Sequence, residues 1–219
     1  DRFTRLWYEV SKNNTSFNSE NRDMAIQSKK KWFPLNSGGR FRKWYGNFEK
    51  IINWENDGFE IKNFNRAYVR GKDYYFKSGI TWTKISSSKL GVRYTPNGFV
   101  FDSAGQCLFP EEDDIYYILA VLCSNIAYEV LKILNPTLNY QVGDFERIPI
   151  IKSSNYKKQI DSIVKQNINI SKYDWNSVET SWDFIKHPLI SPCTKVSEAY
   201  SKWDTECISR FNQLKVNEE

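Results

Sequence analysis

The chain has 219 residues, 40% hydrophobic and 26% charged, an ordinary globular composition long enough to bury a core. Its 16% aromatic content is high, and composition leaves three uses open for it: a core, a carbohydrate platform or base stacking. A formal charge of +5 leans mildly towards an anionic partner, and there is no internal repeat, low-complexity tract or secretory signal pattern.

The front, "RFTRLWYEV", reads as extended, and a polar Asn/Ser-rich loop follows it. The chain starts at Asp1 without an initiator Met, the expectation for a piece of a longer protein. The span "MAIQSKKKWFPL" leads into "LNSGGRFRKWYGNFEK", a loop dense in glycine, cations and rings. "KIINW" is a short β-branched strand, and the "NDG" after it is a turn signal. "DYYFKSGITWTKIS" holds two extended runs around Ser78-Gly79. In "GVRYTPNGFVFD", Pro96-Asn97-Gly98 sits between two further runs and predicts a hairpin. "SAG" is another turn, before "QCLF".

From Pro110 the pattern turns helical. Four acids, Glu111 to Asp114, suit a helix N-terminus, and Asn135-Pro136 suits its stop, so one helix is predicted between them. Ser124, Asn125, Glu129 and Lys132 interrupt its apolar run, which favours a buried core helix over a membrane span. "TLNYQVGDFERIPII" is irregular and ends in a predicted β-branched strand. "NYKKQIDSIVKQNINISKYDW" has Ile160, Ile163, Val164 and Ile168 at helical spacing. "HPLISPC" breaks the chain. A last helix then places Val196, Tyr200, Trp203, Ile208, Phe211 and Leu214 on one broad apolar face. The fold class is α+β: a mixed, strand-rich domain with a buried helix over residues 1–150, and a helical section over 151–219.

Known catalytic patterns are missing. Cys107, Cys123, Cys193 and Cys207 lack zinc-knuckle spacing and read as free thiols of a reducing, cytoplasmic compartment. The single histidine, His187, stands in no triad pattern, and Gly38-Gly39 belongs to neither phosphate-loop motif. Asn135-Pro136 continues as Thr137-Leu138, without the second proline and ring that amino-methylating DNA enzymes use on a flipped base. No catalytic residue and no metal ligand is assigned.

Two loops carry the binding signal. Gly38 and Gly39 permit unusual backbone and a close approach to a ligand. Arg40, Arg42 and Lys43 offer donors for phosphate or guanine edges, and Trp44 and Tyr45 either offer rings to a ligand or plug into the core while the cations face water. The second set is Lys84, Ser86, Ser87, Ser88, Lys89 and Arg93. The residues alone leave three readings open: a DNA-binding loop, a carbohydrate- or ligand-binding module, or a protein-interaction module.

The phrases "KKWFPLNSGGRFRKWYGNFEKIINWENDG", "YYFKSGITWTKISSSKLGVRYTPNGFVFDSAGQCLFP" and "LNPTLNYQVGDFERIPI" resemble the C-terminal part of the adenine-specific DNA methyltransferases of BREX phage-exclusion systems and related fused restriction-modification enzymes. The element order also resembles half of a Type I specificity subunit. The resemblance covers roughly residues 30–150 and implies a target recognition domain with spacer-like C-terminal helices. It implies double-stranded DNA and a catalytic methyltransferase domain as partners, no membrane, and S-adenosylmethionine bound in that catalytic domain. It carries no base-contact motif across. The loop residues named above remain expectations from residue type, resting on the two loops lying side by side and on the rings of Trp44 and Tyr45 not being sealed inside with acids over the arginines.

Overall fold

A computed structural model describes residues 2–86, 89–190 and 192–219. The architecture is α+β, with two small sheets and seven α-helices among these residues. The first sheet has the order β1-β3-β2-β6. Its strands are β1 (Thr4–Leu6), β2 (Trp32–Asn36), β3 (Lys50–Asn53) and β6 (Val100–Phe101). β3 is antiparallel to both β1 and β2, whereas β2 and β6 are parallel. The second sheet, antiparallel throughout, has the order β5-β4-β7, from β4 (Gly79–Trp82), β5 (Val92–Thr95) and β7 (Cys107–Leu108).

"WFPLN" forms β2, which is flanked on both sides and buries Phe33, Pro34, Leu35 and Asn36. Pro34 has no N–H to give. It pairs with Ile51 of β3, and β6 joins only from Leu35 onward, so the proline stays out of the two-sided stretch. A small core of Ala25, Phe33, Leu35, Trp54, Ile61 and Phe76 lies on this sheet with α1 (Arg22–Gln27) and α2 (Glu55–Lys62).

The predicted "NDG" turn is built from left-handed backbone at Asn56, Asp57 and Gly58, with φ of 49°, 59° and 74°. Asp57 accepts hydrogen bonds from Arg22 and Lys62, tying α1 to α2. Burial alone would raise its pKa. The bonds and charges of Arg22 and Lys62 outweigh burial and hold the carboxyl below its ordinary value of 3.8. A depressed folded pKa contributes stability above the ordinary value and loses it as pH falls through the folded one. Asp57→Asn, which tolerates the same backbone, is therefore expected to be less stable at neutral pH and to lose less on acidification. Urea unfolding from neutral to acid pH reads both effects.

Five sequence expectations are corrected. First, β5 and β6 do not form a hairpin. The turn at Pro96-Asn97-Gly98 exists, but Gly98, at φ 100°, donates its N–H to Phe76 and sends the chain into the other sheet. Second, the helix after Pro110 is two helices. α3 (Ile115–Cys123) and α4 (Asn125–Leu134) meet at a 74° bend. Ser124, extended at ψ 154°, caps α4 by accepting the Ala127 N–H at 3.1 Å, a bond typically worth about 1 kcal/mol. No single helix among the described residues is long and apolar enough to cross a membrane. Third, residues 147–153 form no strand. A short helix, α5 (Val142–Glu146), precedes them. Fourth, the predicted apolar face of the last helix is largely uncovered. Val196, Tyr200, Ile208 and Phe211 of α7 (Val196–Glu218) are exposed, and only Ala199 is buried. Fifth, the run before Ser78 is a 3-10 turn (Lys72–Tyr74) and not extended.

The larger core gathers Ile80, Trp82 and Val92 of the second sheet, Leu119 and Leu122 of α3, and Leu131 of α4. α6 (Ser154–Asn176) adds Val164, Ile168 and Trp175 to it, as its helical spacing requires. α7 is fastened to α6 by polar contacts, including Asn217 Nδ2 to Asn167 Oδ1 at 2.7 Å.

Candidate nucleic-acid interface

Three loops converge where the first sheet ends. β2 leaves the sheet at Asn36, and the Ser37 hydroxyl donates to Asp102 Oδ2 at 2.7 Å. Asp102 Oδ1 in turn accepts the N–H groups of Ala104 and Gly105 at 2.8 and 3.0 Å. The Lys84 N–H donates to the Ala104 carbonyl at 2.9 Å, and Thr83 Oγ1 donates to the Gly39 carbonyl at 3.0 Å. The glycine-hinged loop and the loop that begins at Thr83 therefore touch. Gly38, at φ 72°, has no room for a side chain: a Cβ there would lie 2.9 Å from the Ala104 carbonyl oxygen.

Beyond Phe41 the chain runs along β5. The Trp44 N–H donates to the Val92 carbonyl, and the Tyr94 N–H donates to the Trp44 carbonyl, both at 2.9 Å. This pairing decides where the side chains go. Trp44 adopts left-handed backbone, φ 69°, which turns its ring inward. Trp44 is 5% exposed and Tyr45 6%. The Trp44 indole N–H donates to Glu218 Oε1 at 2.7 Å, and Tyr45 packs edge-on to Phe48. Burial, then the charge of Asp183, pushes the Tyr45 hydroxyl's pKa up. Arg93 is also interior, at 2% exposure. Burial pulls its pKa down to about 10, its Nη1 donates to the Gly91 carbonyl, and its Nε has no hydrogen-bond partner among the described residues.

These positions correct part of the expected contact set. Trp44, Tyr45 and Arg93 are core residues whose rings and guanidinium present no face to a duplex. The same burial removes the platform that a carbohydrate reading of Trp44 and Tyr45 needs. Arg42 and Lys43 reach the surface but are met by acids of the C-terminal helices. Arg42 Nη1 lies 3.0 Å from Asp174, with the guanidinium over Trp175, and Lys43 Nζ lies 2.8 Å from Glu218. Arg40 is exposed, as is Lys89. Lys84 and Ser86 are half-buried, and the Ser86 N–H is bonded to the Leu138 carbonyl. Ser87 and Ser88 lie outside the described residues.

A cleft of about 500 Å³ opens between the glycine loop and the end of α6. Arg40, Asn47 and Lys50 line it with hydrogen-bond donors, Ser37 lies beside them, and Trp175 and Thr180 close the far side. Among the described residues, Glu49 is the one acid on its wall. Lys50 Nζ lies 3.3 Å from the Ser37 hydroxyl, and Asn47 Nδ2 donates to the Arg40 carbonyl at 2.7 Å. Such a donor-rich wall suits an anionic oxygen ligand. Sequence reading missed Asn47, Lys50, Trp175 and Thr180. Lys50 reads as the first residue of a strand, and the last two arrive from over a hundred residues away, with no local signal.

The chain is similar to a segment of the adenine-specific methyltransferase BrxX of Escherichia coli O9:H4 (strain HS), 42% identical over 206 residues, which is 93% of this chain and 16% of that protein. It is also similar to a segment of the adenine-specific methyltransferase PglX of Lacticaseibacillus casei (strain Zhang), 37% identical over 231 residues, covering 99% of this chain and 19% of that protein. The chain thus spans less than a fifth of the length of either relative. No protein-family model matches it.

Proposed function

We propose that this chain is the DNA-reading part of an adenine-specific methyltransferase of a phage-exclusion or restriction-modification system, and that methyl transfer belongs to a part outside the matched segment. Similarity to segments of two adenine-specific methyltransferases supports the system. The observation that carries the DNA reading is the junction of the glycine loop with the loop after β4, joined by the Thr83–Gly39 hydrogen bond. It sets Arg40 and Lys50 on the wall of one cleft, and the backbone of Lys84 is bonded to Ala104, the residue that Gly38 packs against.

In this reading cations capture the duplex through phosphates, a salt-sensitive and sequence-blind step. Loop side chains then test base edges, each good pair adding about 1–3 kcal/mol of discrimination. α6 and α7 brace the loop from behind through Asp174 and Glu218, so Arg42 and Lys43 serve as struts. The target adenine is flipped into the catalytic domain, which binds the methyl donor.

The test is a fluorescence-anisotropy titration of a labelled duplex at several salt concentrations. Arg40→Ala with Lys84→Ala is expected to flatten the slope of log K against log salt by about 1.8, at about 0.9 per lost phosphate contact. A wild-type chain whose association with duplex is absent or indifferent to salt would overturn the proposal.

A further inference from the structure

The segment between α2 and β4, "NFNRAYVRGKDYYFKS", is basic and aromatic and lines no part of the cleft. It carries Arg66, Arg70, Lys72 and Lys77 against one acid, Asp73. Its exposure alternates. Ala67 and Val69 are partly buried against the smaller core, while Arg66, Tyr68 and Arg70 between and beside them are exposed. Tyr75 and Phe76, at 7% and 0% exposure, anchor its far end. The fold thus holds the segment by its apolar residues and presents a row of arginine, tyrosine and arginine outward.

Tyr68 is 77% exposed, with the Arg70 guanidinium 4.4 Å from its ring centroid. Lys77 Nζ sits 5.3 Å from the ring of Tyr74. Among the described residues, Arg66, Arg70, Lys72 and Lys77 make no ion pair, unlike Arg42 and Lys43. Exposed cations that no acid pairs keep their attraction for a polyanion. The segment also lies close to the cleft. Gly71 packs against the Phe101 ring, and the next residue, Asp102, accepts the hydrogen bond from Ser37.

We infer that residues 66–77 form a second DNA grip, in which Arg66, Arg70 and Lys72 contact the phosphodiester backbone of the duplex beside the cleft. This rests on the DNA-reading proposal and assigns it a different set of residues. Tyr68 stiffens the row by stacking under Arg70, and its own face packs against the sugar-phosphate edge.

The test uses the 219-residue chain and a labelled duplex, with Arg66→Ala/Arg70→Ala/Lys72→Ala beside the wild type and Arg40→Ala/Lys84→Ala. The triple variant is expected to bind about a hundredfold more weakly near 0.1 M salt, with a salt slope flatter by about 2.7. A control exchanging Arg66 and Arg70 for lysine is expected to keep most of that slope. These side chains are exposed, so thermal unfolding should match the wild type and separate lost binding from lost folding. A triple variant with wild-type affinity and slope, in a chain that does bind duplex, overturns this inference and leaves the DNA reading standing. A wild-type chain that binds no duplex overturns both. Loss of binding in the triple variant alone, with Arg40→Ala/Lys84→Ala unaffected, supports this grip and removes the cleft.

Discussion

Trp44→Ala is expected to lower the free energy of unfolding by about 3–5 kcal/mol, while Trp44→Phe leaves duplex affinity and its salt dependence unchanged. The first effect follows from burial: the ring is 5% exposed and belongs to the larger core with Leu119 and Val164. The second follows because a ring with no free face cannot stack on a base. Trp44→Phe also removes the indole N–H that Glu218 accepts at 2.7 Å, a modest further cost to stability. The backbone gives an independent signature. Trp44 holds φ 69°, a conformation disfavoured for any residue with a Cβ by about 1–2 kcal/mol and open to glycine. Trp44→Gly should therefore be no more destabilising than Trp44→Ala, the reverse of the order in a helix or strand. Urea midpoints for the three variants, at unchanged m, check the series. A Trp44→Phe chain with normal stability and much weaker duplex binding would put the ring back at the interface.

The left-handed turn at Trp44 also explains what the sequence concealed. "RFRKWYG" leaves open whether its rings face a ligand or the core, because residue types carry no sign of which way the backbone faces. Only the pairing of Trp44 with Val92 and Tyr94 turns the two rings inward and brings Arg42 and Lys43 under the acids of α6 and α7. Those acids, Asp174 and Glu218, lie over a hundred residues away. Arg93 was misplaced for a similar reason. It sits on β5 opposite Thr81 of β4, and a single arginine in a short strand does not say which face the sheet buries. The glycine loop meets the start of the loop after β4, at Thr83, while the serine-rich turn expected beside it, at Ser87 and Ser88, lies outside the described residues.

Elements with a strong local period were read well. The helices expected over 155–175 and 195–216 are Ser154–Asn176 and Val196–Glu218. The strand expected in "KIINW" is Lys50–Asn53. Failures came where a single residue overrides a pattern: Ser124 capping a new helix inside an apolar run, and Gly98 redirecting the chain between sheets. The exposed face of α7 is a different failure. Its period was right, but a helix needs only part of its apolar stripe to dock, and polar contacts from Asn217 do the fastening. The row Arg66-Tyr68-Arg70 escaped notice because its anchors, Ala67 and Val69, are small and flank no recognised turn.

Trp82→Ala is the second large effect, and it links the core to the cleft. Trp82 is 0% exposed, its ring centroid lies 3.9 Å from that of Phe145, and its indole N–H donates to the Tyr140 carbonyl at 3.1 Å. Truncation removes the ring, leaves the Tyr140 carbonyl without that donor, and opens a cavity between β4 and α5, for a cost of about 3–5 kcal/mol. For a chain of this size that corresponds to a fall in Tm of about 10 °C. The damage should not stay local. Two residues on, the Lys84 carbonyl accepts the Tyr140 N–H at 2.7 Å, and Ile85 bridges to Asn139. Both contacts hold the loop after β4 against the segment that Trp82 anchors. Hydrogen exchange at Lys84 and Tyr140 should therefore accelerate more in Trp82→Ala than exchange at Ile51 and Ile52, which belong to the other sheet. Uniform acceleration across both sheets would mean that the mutation acts through global unfolding alone and that Trp82 does not single out the loop. Trp82→Phe, which keeps most of the ring volume, should retain the loop's protection while losing the bond to Tyr140.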